Sequence, residues 1–135
     1  MRILVGAVAL LSLAACSTPP APLGPRVDAP VVGTAMSSAE IREGLVGKTG
    51  TGPISGSLIT YSMYLAADGT AQARHPGFTD SGRWWLTADN QLCTQWQIYR
   101  GGKEQCSVVY REGTSYRLAN RQAVELLAFA PGKTF

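Results

Sequence analysis

Histidine is nearly absent from this sequence: His75 is the single one in 135 residues, beside three cysteines. A zinc site needs a convergent set of three or four ligands, dominated by His and Cys. No such set can be assembled here, so neither a metal nor another cofactor is expected. No Ser-His-Asp arrangement has a supporting local motif, and no glycine-rich loop precedes a helix to cradle a phosphate. The expectation is a protein that is not an enzyme. Hydrolysis of glycosides by paired carboxylates is the one chemistry left open, because the separation of two carboxylates cannot be read from sequence. Charge is also sparse, at 16% of residues and a formal net +3, too small an excess to suggest nucleic acid. No apolar run reaches the roughly 20 residues that a membrane-spanning helix requires.

What is present begins with a leader. Arg2 supplies a positive start, residues 3–13 an apolar stretch, and Ala14 and Ala15 the small residues of a secretory cleavage site. The next residue is Cys16, and Leu13-Ala14-Ala15-Cys16 resembles the bacterial lipobox. The resemblance implies that the Cys16 thiol carries diacylglycerol, that cleavage leaves Cys16 as the first residue, and that its amine is acylated. One acyl chain holds a protein only marginally in a membrane, whereas two or more hold it stably. Ser17 follows, not the aspartate that favours inner-membrane retention, so the implied address is the outer membrane, facing the periplasm. Residues 1–15 are then a signal peptide, and 16–36 a lipidated, disordered tether. The tether carries Pro19, Pro20, Pro22, Pro25 and Pro30, out of eight prolines in all, a composition that favours extended chain over a packed core. The alternative is that part of it packs along the domain as a belt, using Val27, Val31 and Val32.

Residues 37–135 read as one β-rich domain. Ser37-Ser38-Ala39-Glu40 is a capping-box pattern, and Ile41 and Leu45 share a helical face, which predicts one short helix near 38–46. The period then changes to two: Ile59, Tyr61, Met63 and Leu65 alternate with Thr60, Ser62 and Tyr64, as in a half-buried strand. Asp68-Gly69 reads as a two-residue hairpin turn, and His75-Pro76-Gly77 ends the next strand because proline cannot donate to a ladder. Turn signals recur at Asp89-Asn90, Arg100-Gly101-Gly102, Glu112-Gly113 and Asn120-Arg121. Between them run short apolar-polar segments, counted with a first strand near 48–52 as eight strands. The fold class is mainly β: an antiparallel up-and-down meander closing into a small, lipocalin-like barrel, with a β-sandwich as the alternative.

Cys93 and Cys106 remain. An oxidising envelope predicts a disulfide, but a two-residue turn at Gly101-Gly102 would set Cys106 opposite Gln97, so a longer loop or a bulge is required. Trp84 with Leu86, and Trp96 with Leu92 and Ile98, fit inward faces. Trp85 points the other way, either tucked under the helix or exposed as a binding candidate. Arg100, Lys103, Arg111, Arg117 and Arg121 read as solvated outward positions, with a patch for anionic lipid or glycan as the alternative.

The series Leu45-Val46-Gly47-Lys48-Thr49, residues 61–64 with Asp68-Gly69-Thr70, Gly82-Arg83-Trp84, Leu92-Cys93 with Trp96, Cys106, and Pro131-Gly132 resembles an uncharacterised family of small secreted or lipidated proteobacterial domains. More remotely it is similar to lipocalin-like barrels, including small periplasmic protease inhibitors. The resemblance supplies no catalytic residues. It implies a non-enzymatic binding or structural module of the envelope, anchored to the membrane through Cys16, with an envelope protein, a glycan or a small apolar ligand as partner. The alternative is an inhibitor of a periplasmic hydrolase of protease or lysozyme type, wedging with the segment before Ser37 or the loop at 75–80.

Overall fold

The computed structural model describes residues 33–54, 57–121 and 123–135. Cys16, the leader and the proline-rich segment up to residue 32 lie outside the described residues. The element order is β1 (Thr34–Ala35), α1 (Ser38–Leu45), β2 (Lys48–Pro53), β3 (Thr60–Leu65), β4 (Thr70–His75), β5 (Phe78–Leu86), β6 (Gln91–Trp96), a 3-10 turn at Tyr99–Gly102, β7 (Gln105–Glu112), β8 (Ser115–Ala119) and β9 (Val124–Pro131).

Each strand from β2 to β9 pairs antiparallel with the next, and β9 returns to β2 through Lys48↔Pro131, Thr49↔Ala130, Gly50↔Phe129 and Thr51↔Ala128. Among the described residues this is a closed, eight-stranded up-and-down barrel, not a sandwich. Closure satisfies the backbone groups that an open edge would leave exposed. The extra strand β1 lies along the part of β7 that β6 does not reach, with Thr34↔Arg111 and Ala35↔Tyr110. Met36 follows it, 5% exposed, its N–H bonded to the Val109 carbonyl at 2.8 Å. Residues 34–36, the last assigned to the tether, thus pack on the domain.

The helix is set by its cap. Ser37 Oγ accepts the Glu40 N–H at 3.3 Å and Glu40 Oε2 accepts the Ser37 N–H at 2.7 Å, the reciprocal box expected from sequence. Ile41 and Leu45 are fully buried, so α1 closes one end of the barrel. Arg42 lies over the Trp84 ring at 5.4 Å, and Asn90 Oδ1 accepts both the N–H and the hydroxyl of Ser38.

The Asp68-Gly69 turn differs from the two-residue form. Ala66 N–H bonds to Thr70 O at 2.9 Å, Gly69 stands at φ +89°, and Leu65 faces Ala71. This is a three-residue loop closed by a left-handed residue, the next commonest hairpin connection. The β5–β6 turn repeats it, with Thr87 N–H on Gln91 O and Asn90 at φ +62°. Asp68 selects this form by accepting the N–H and hydroxyl of Thr70 on Oδ1.

The interior is filled by the barrel's own side chains. Tyr61, Met63, Leu65, Ala71, Ala73, Trp84, Leu92, Trp96, Val109, Leu118 and Leu127 are all buried. Rings fit because glycine lies beneath them: a Cβ on Gly50 would overlap the Phe129 ring, and one on Gly82 would overlap Trp96 and the Gln95 carbonyl. In the last strand the inward set is Glu125, Leu127 and Phe129. Leu126, between Glu125 and Leu127, points out and is 40% exposed.

Candidate functional site

At the end of the barrel opposite α1 lie residues 54, 57–59, 76–77, 97–104, 120–121 and 123. Just inside it lies a cavity of about 20 Å3, lined by residues that include Tyr61, His75, Thr94, Ser107 and Glu125. That is room for about one water molecule.

Glu125 is 6% exposed, and its Oε2 accepts the Tyr61 hydroxyl at 2.8 Å. Burial pushes the Glu125 carboxyl above the usual range, against the Tyr61 hydrogen bond and the Arg100 charge, which lower it. Burial likewise holds the Tyr61 proton well above the ordinary phenol range, reinforced by the neighbouring carboxylate. Tyr61 therefore stays a donor.

His75 closes β4 rather than sitting in an exposed turn. It is 5% exposed and stacks between Tyr61 and Phe78, with ring centroids at 5.4 Å and 4.5 Å, while Tyr99 tilts against it at 5.1 Å. Burial lowers its pKa, partly offset by Asp80, so the neutral imidazole is favoured. Its Nε2 is buried with no hydrogen-bond partner among the described residues.

Asp80 organises the 97–104 loop. Its carboxylate accepts backbone N–H groups of Ser81, Gln97, Ile98 and Tyr99, the last at 2.7 Å. This pins a turn in which Arg100 and Gly101 adopt left-handed backbone at φ +56° and +62°. Of the loop considered as a wedge, both ends, His75 and Asp80, are buried, and residues 76–79 are exposed.

Of the sites expected from sequence, Cys16 lies outside the described residues. Cys93 and Cys106 face each other directly and are joined by a disulfide; the long 97–104 connection supplies the register that a two-residue turn could not. Trp85 points outward as expected, half-buried, opposite Cys93. Arg83 lies over its ring at 4.9 Å, and Arg83 also bonds to Gln95 and faces Glu104 at 3.6 Å. Arg117 is paired with Glu112 at 2.6 Å and Arg111 donates to the Tyr116 hydroxyl, so part of the basic series is engaged with its own neighbours.

Glu125 and Asp80 escaped the sequence reading. The available signal for Glu125 was an acidic residue inside the last apolar run, in phase with Leu127 and Phe129. Asp80 carried no signal, because its partners lie 17 to 19 residues further along the chain.

No protein-family model, curated protein or solved structure matches this chain. The functional reading therefore rests on this geometry.

One pH consequence follows. A carboxyl whose folded pKa is raised contributes stability that is present below its unfolded value, about 4.5, and lost as pH rises through the folded value. Glu125→Gln keeps an acceptor for Tyr61 without the buried charge. Its midpoint should exceed the wild-type value at pH 8 and approach it near pH 4. A constant difference across this range, read by thermal melts, would contradict the burial of an ionising group.

Proposed function

We propose that the protein is a non-enzymatic binding module of the bacterial envelope, held at the outer membrane through a lipidated Cys16, that engages an acidic envelope protein with the loop end of its barrel. The observation that carries this is the composition of that end. Leu58 is fully exposed, Ile59 is 50% exposed, Phe78 40% and Ile98 61%. Among the described residues, four of the five exposed large hydrophobic side chains thus stand on or beside connections at one end, and a concentration of this kind marks interaction surfaces. Arg74, Lys103 and Arg121 are exposed at the same end, where Glu104 is already faced by Arg83. An apolar centre rimmed by cations suits a partner whose surface is apolar and acidic.

Two further features support the reading. Thr34, the start of β1, pairs with Arg111 near the α1 end, so the described residues nearest the proposed anchor lie at the end opposite the loops. The cavity under the loop end has room for about one water, far below the roughly 300 Å3 of a small-molecule pocket. That favours surface contact over carriage of an apolar ligand. Inhibition of a periplasmic hydrolase is the second reading, favoured by the turn Pro76-Gly77-Phe78-Thr79, which is exposed between two buried residues.

The address and the surface are tested separately. Cys16→Ser should release the protein from membranes; retention in the pellet after a high-salt wash would refute the anchor. A photocrosslinker at Ile98 or Phe78 should trap one partner protein in intact envelopes, and Phe78→Asp should abolish the product. Equal trapping from a probe on the outer barrel wall at Gln72 would refute the loop-end surface. Trapping of a protease or lysozyme, with loss of its activity, would select the inhibitor reading.

A further inference from the structure

We propose that the cavity inside the loop end of the barrel is a binding site for a small primary ammonium group. The inference is independent of the docking surface proposed above, since it concerns groups beneath the loops and not those exposed on them.

The polar groups that meet there are rich in acceptors. Glu125 presents a carboxylate, 6% exposed, and His75 presents an imidazole nitrogen, Nε2, buried and without a partner among the described residues. Thr94 and Ser107 line the same space, and Ser107 Oγ already receives Asn120 Nδ2 at 3.0 Å, which leaves its oxygen as a partner for little more than one further group. The Tyr61 hydroxyl spends its proton on Glu125. A charged donor placed among these acceptors would serve the whole set. A primary ammonium has three donors and no acceptor, so it can serve Glu125, His75 Nε2 and a hydroxyl together.

The walls suit the same group. Tyr61, Trp96 and Tyr99 line the cavity, and aromatic faces attract cations most strongly where water is excluded. Arg100 supplies a nearby positive charge, with its guanidinium over the Tyr99 ring at 5.4 Å. Burial nevertheless outweighs that charge at Glu125, so a further cation close to the carboxylate is favourable. Size narrows the class: about 20 Å3 admits a head group of water dimensions, and excludes a guanidinium or a quaternary ammonium. A metal ion is not favoured, because no group of three His, Cys, Asp or Glu side chains converges among the described residues.

The test uses the mature protein in detergent, titrated with methylammonium chloride against sodium chloride and tetramethylammonium chloride at equal ionic strength. Methylammonium should raise the thermal midpoint saturably and shift the His75 and Trp96 side-chain NMR signals; the other two salts should not. Glu125→Gln, and separately Thr94→Val in case the first variant perturbs the cavity, should weaken binding at least tenfold while circular dichroism stays unchanged. A second arm uses lysine blocked at both its α-amine and its carboxyl. Binding of methylammonium alone assigns the site to free amines, and binding of both assigns it to amines that include a lysine side chain. Equal responses to all three salts, or undiminished binding by Glu125→Gln, would overturn the proposal and leave a site for water only.

Discussion

Trp84→Ala is expected to leave the domain largely unfolded at 37 °C, whereas Trp85→Ala is expected to leave it folded. The two indoles are neighbours in sequence, but successive side chains of a strand point to opposite faces. Trp84 points in. It is 4% exposed, its Nε1 donates to the Ala66 carbonyl at 2.7 Å, and Arg42 of α1 covers its ring. Truncation opens a cavity costing about 3 to 5 kcal/mol and leaves the Ala66 carbonyl with the Gly69 N–H alone, in a domain class whose whole stability is about 5 to 15 kcal/mol. It also loosens α1 from the barrel end. Trp85 points out, half-buried beside the disulfide, with Arg83 on its face. An exposed cation–π contact contributes about 0.5 to 1 kcal/mol, so the expected loss is of that order plus some packing. Thermal melts of the two variants, run side by side, check this. Equal losses would show that the outer indole shelters the disulfide as tightly as the inner one fills the barrel, and would remove Trp85 as a binding candidate.

The second large effect belongs to Asp80, which looks in sequence like an ordinary turn residue. Its carboxylate is 1% exposed and collects four backbone N–H groups, three of them from the single run Gln97-Ile98-Tyr99. Asp80→Ala strands those donors. Gln97 keeps a bond to the Ser81 carbonyl, but Ile98 and Tyr99 lose the acceptor that holds them. A buried donor left unpaired costs about 1 to 3 kcal/mol; Ile98 is exposed and Tyr99 partly buried, so water replaces part of the acceptor and a total loss of about 1 to 3 kcal/mol is expected. Asp80→Asn should recover little, because its amide places donors against donors. The 97–104 loop would detach, taking Tyr99 away from the His75 stack and Ile98 away from the loop-end surface. Hydrogen exchange at the Ile98 and Tyr99 amides reads this directly. If both stay protected in Asp80→Ala, the carboxylate is not what fixes the loop. A partner crosslink through Ile98 should also fall in this variant, even where the barrel itself remains folded.

Much of the barrel was legible because its determinants are local. The alternation of Tyr61, Met63 and Leu65 with Thr60, Ser62 and Tyr64 carries strand phase within six residues, and the Ser37–Glu40 box carries the helix start within four. Turn residues at short intervals then admit little but an antiparallel meander, and eight such strands close. The pairing of Cys93 with Cys106 was legible as chemistry but not as register, since register depends on how the 97–104 loop is held, and it is held by Asp80 from β5. The candidate site was not legible at all. Tyr61 and Glu125 are 64 positions apart, and His75 meets Tyr99 across two intervening strands. Nothing in the local pattern near any of these residues encodes the others. They converge because closing the barrel brings the ends of β3, β4 and β9 to one rim, where an inward position that elsewhere takes leucine takes a carboxylate. Alternation determined which side chains point inward; closure alone decided which of them meet.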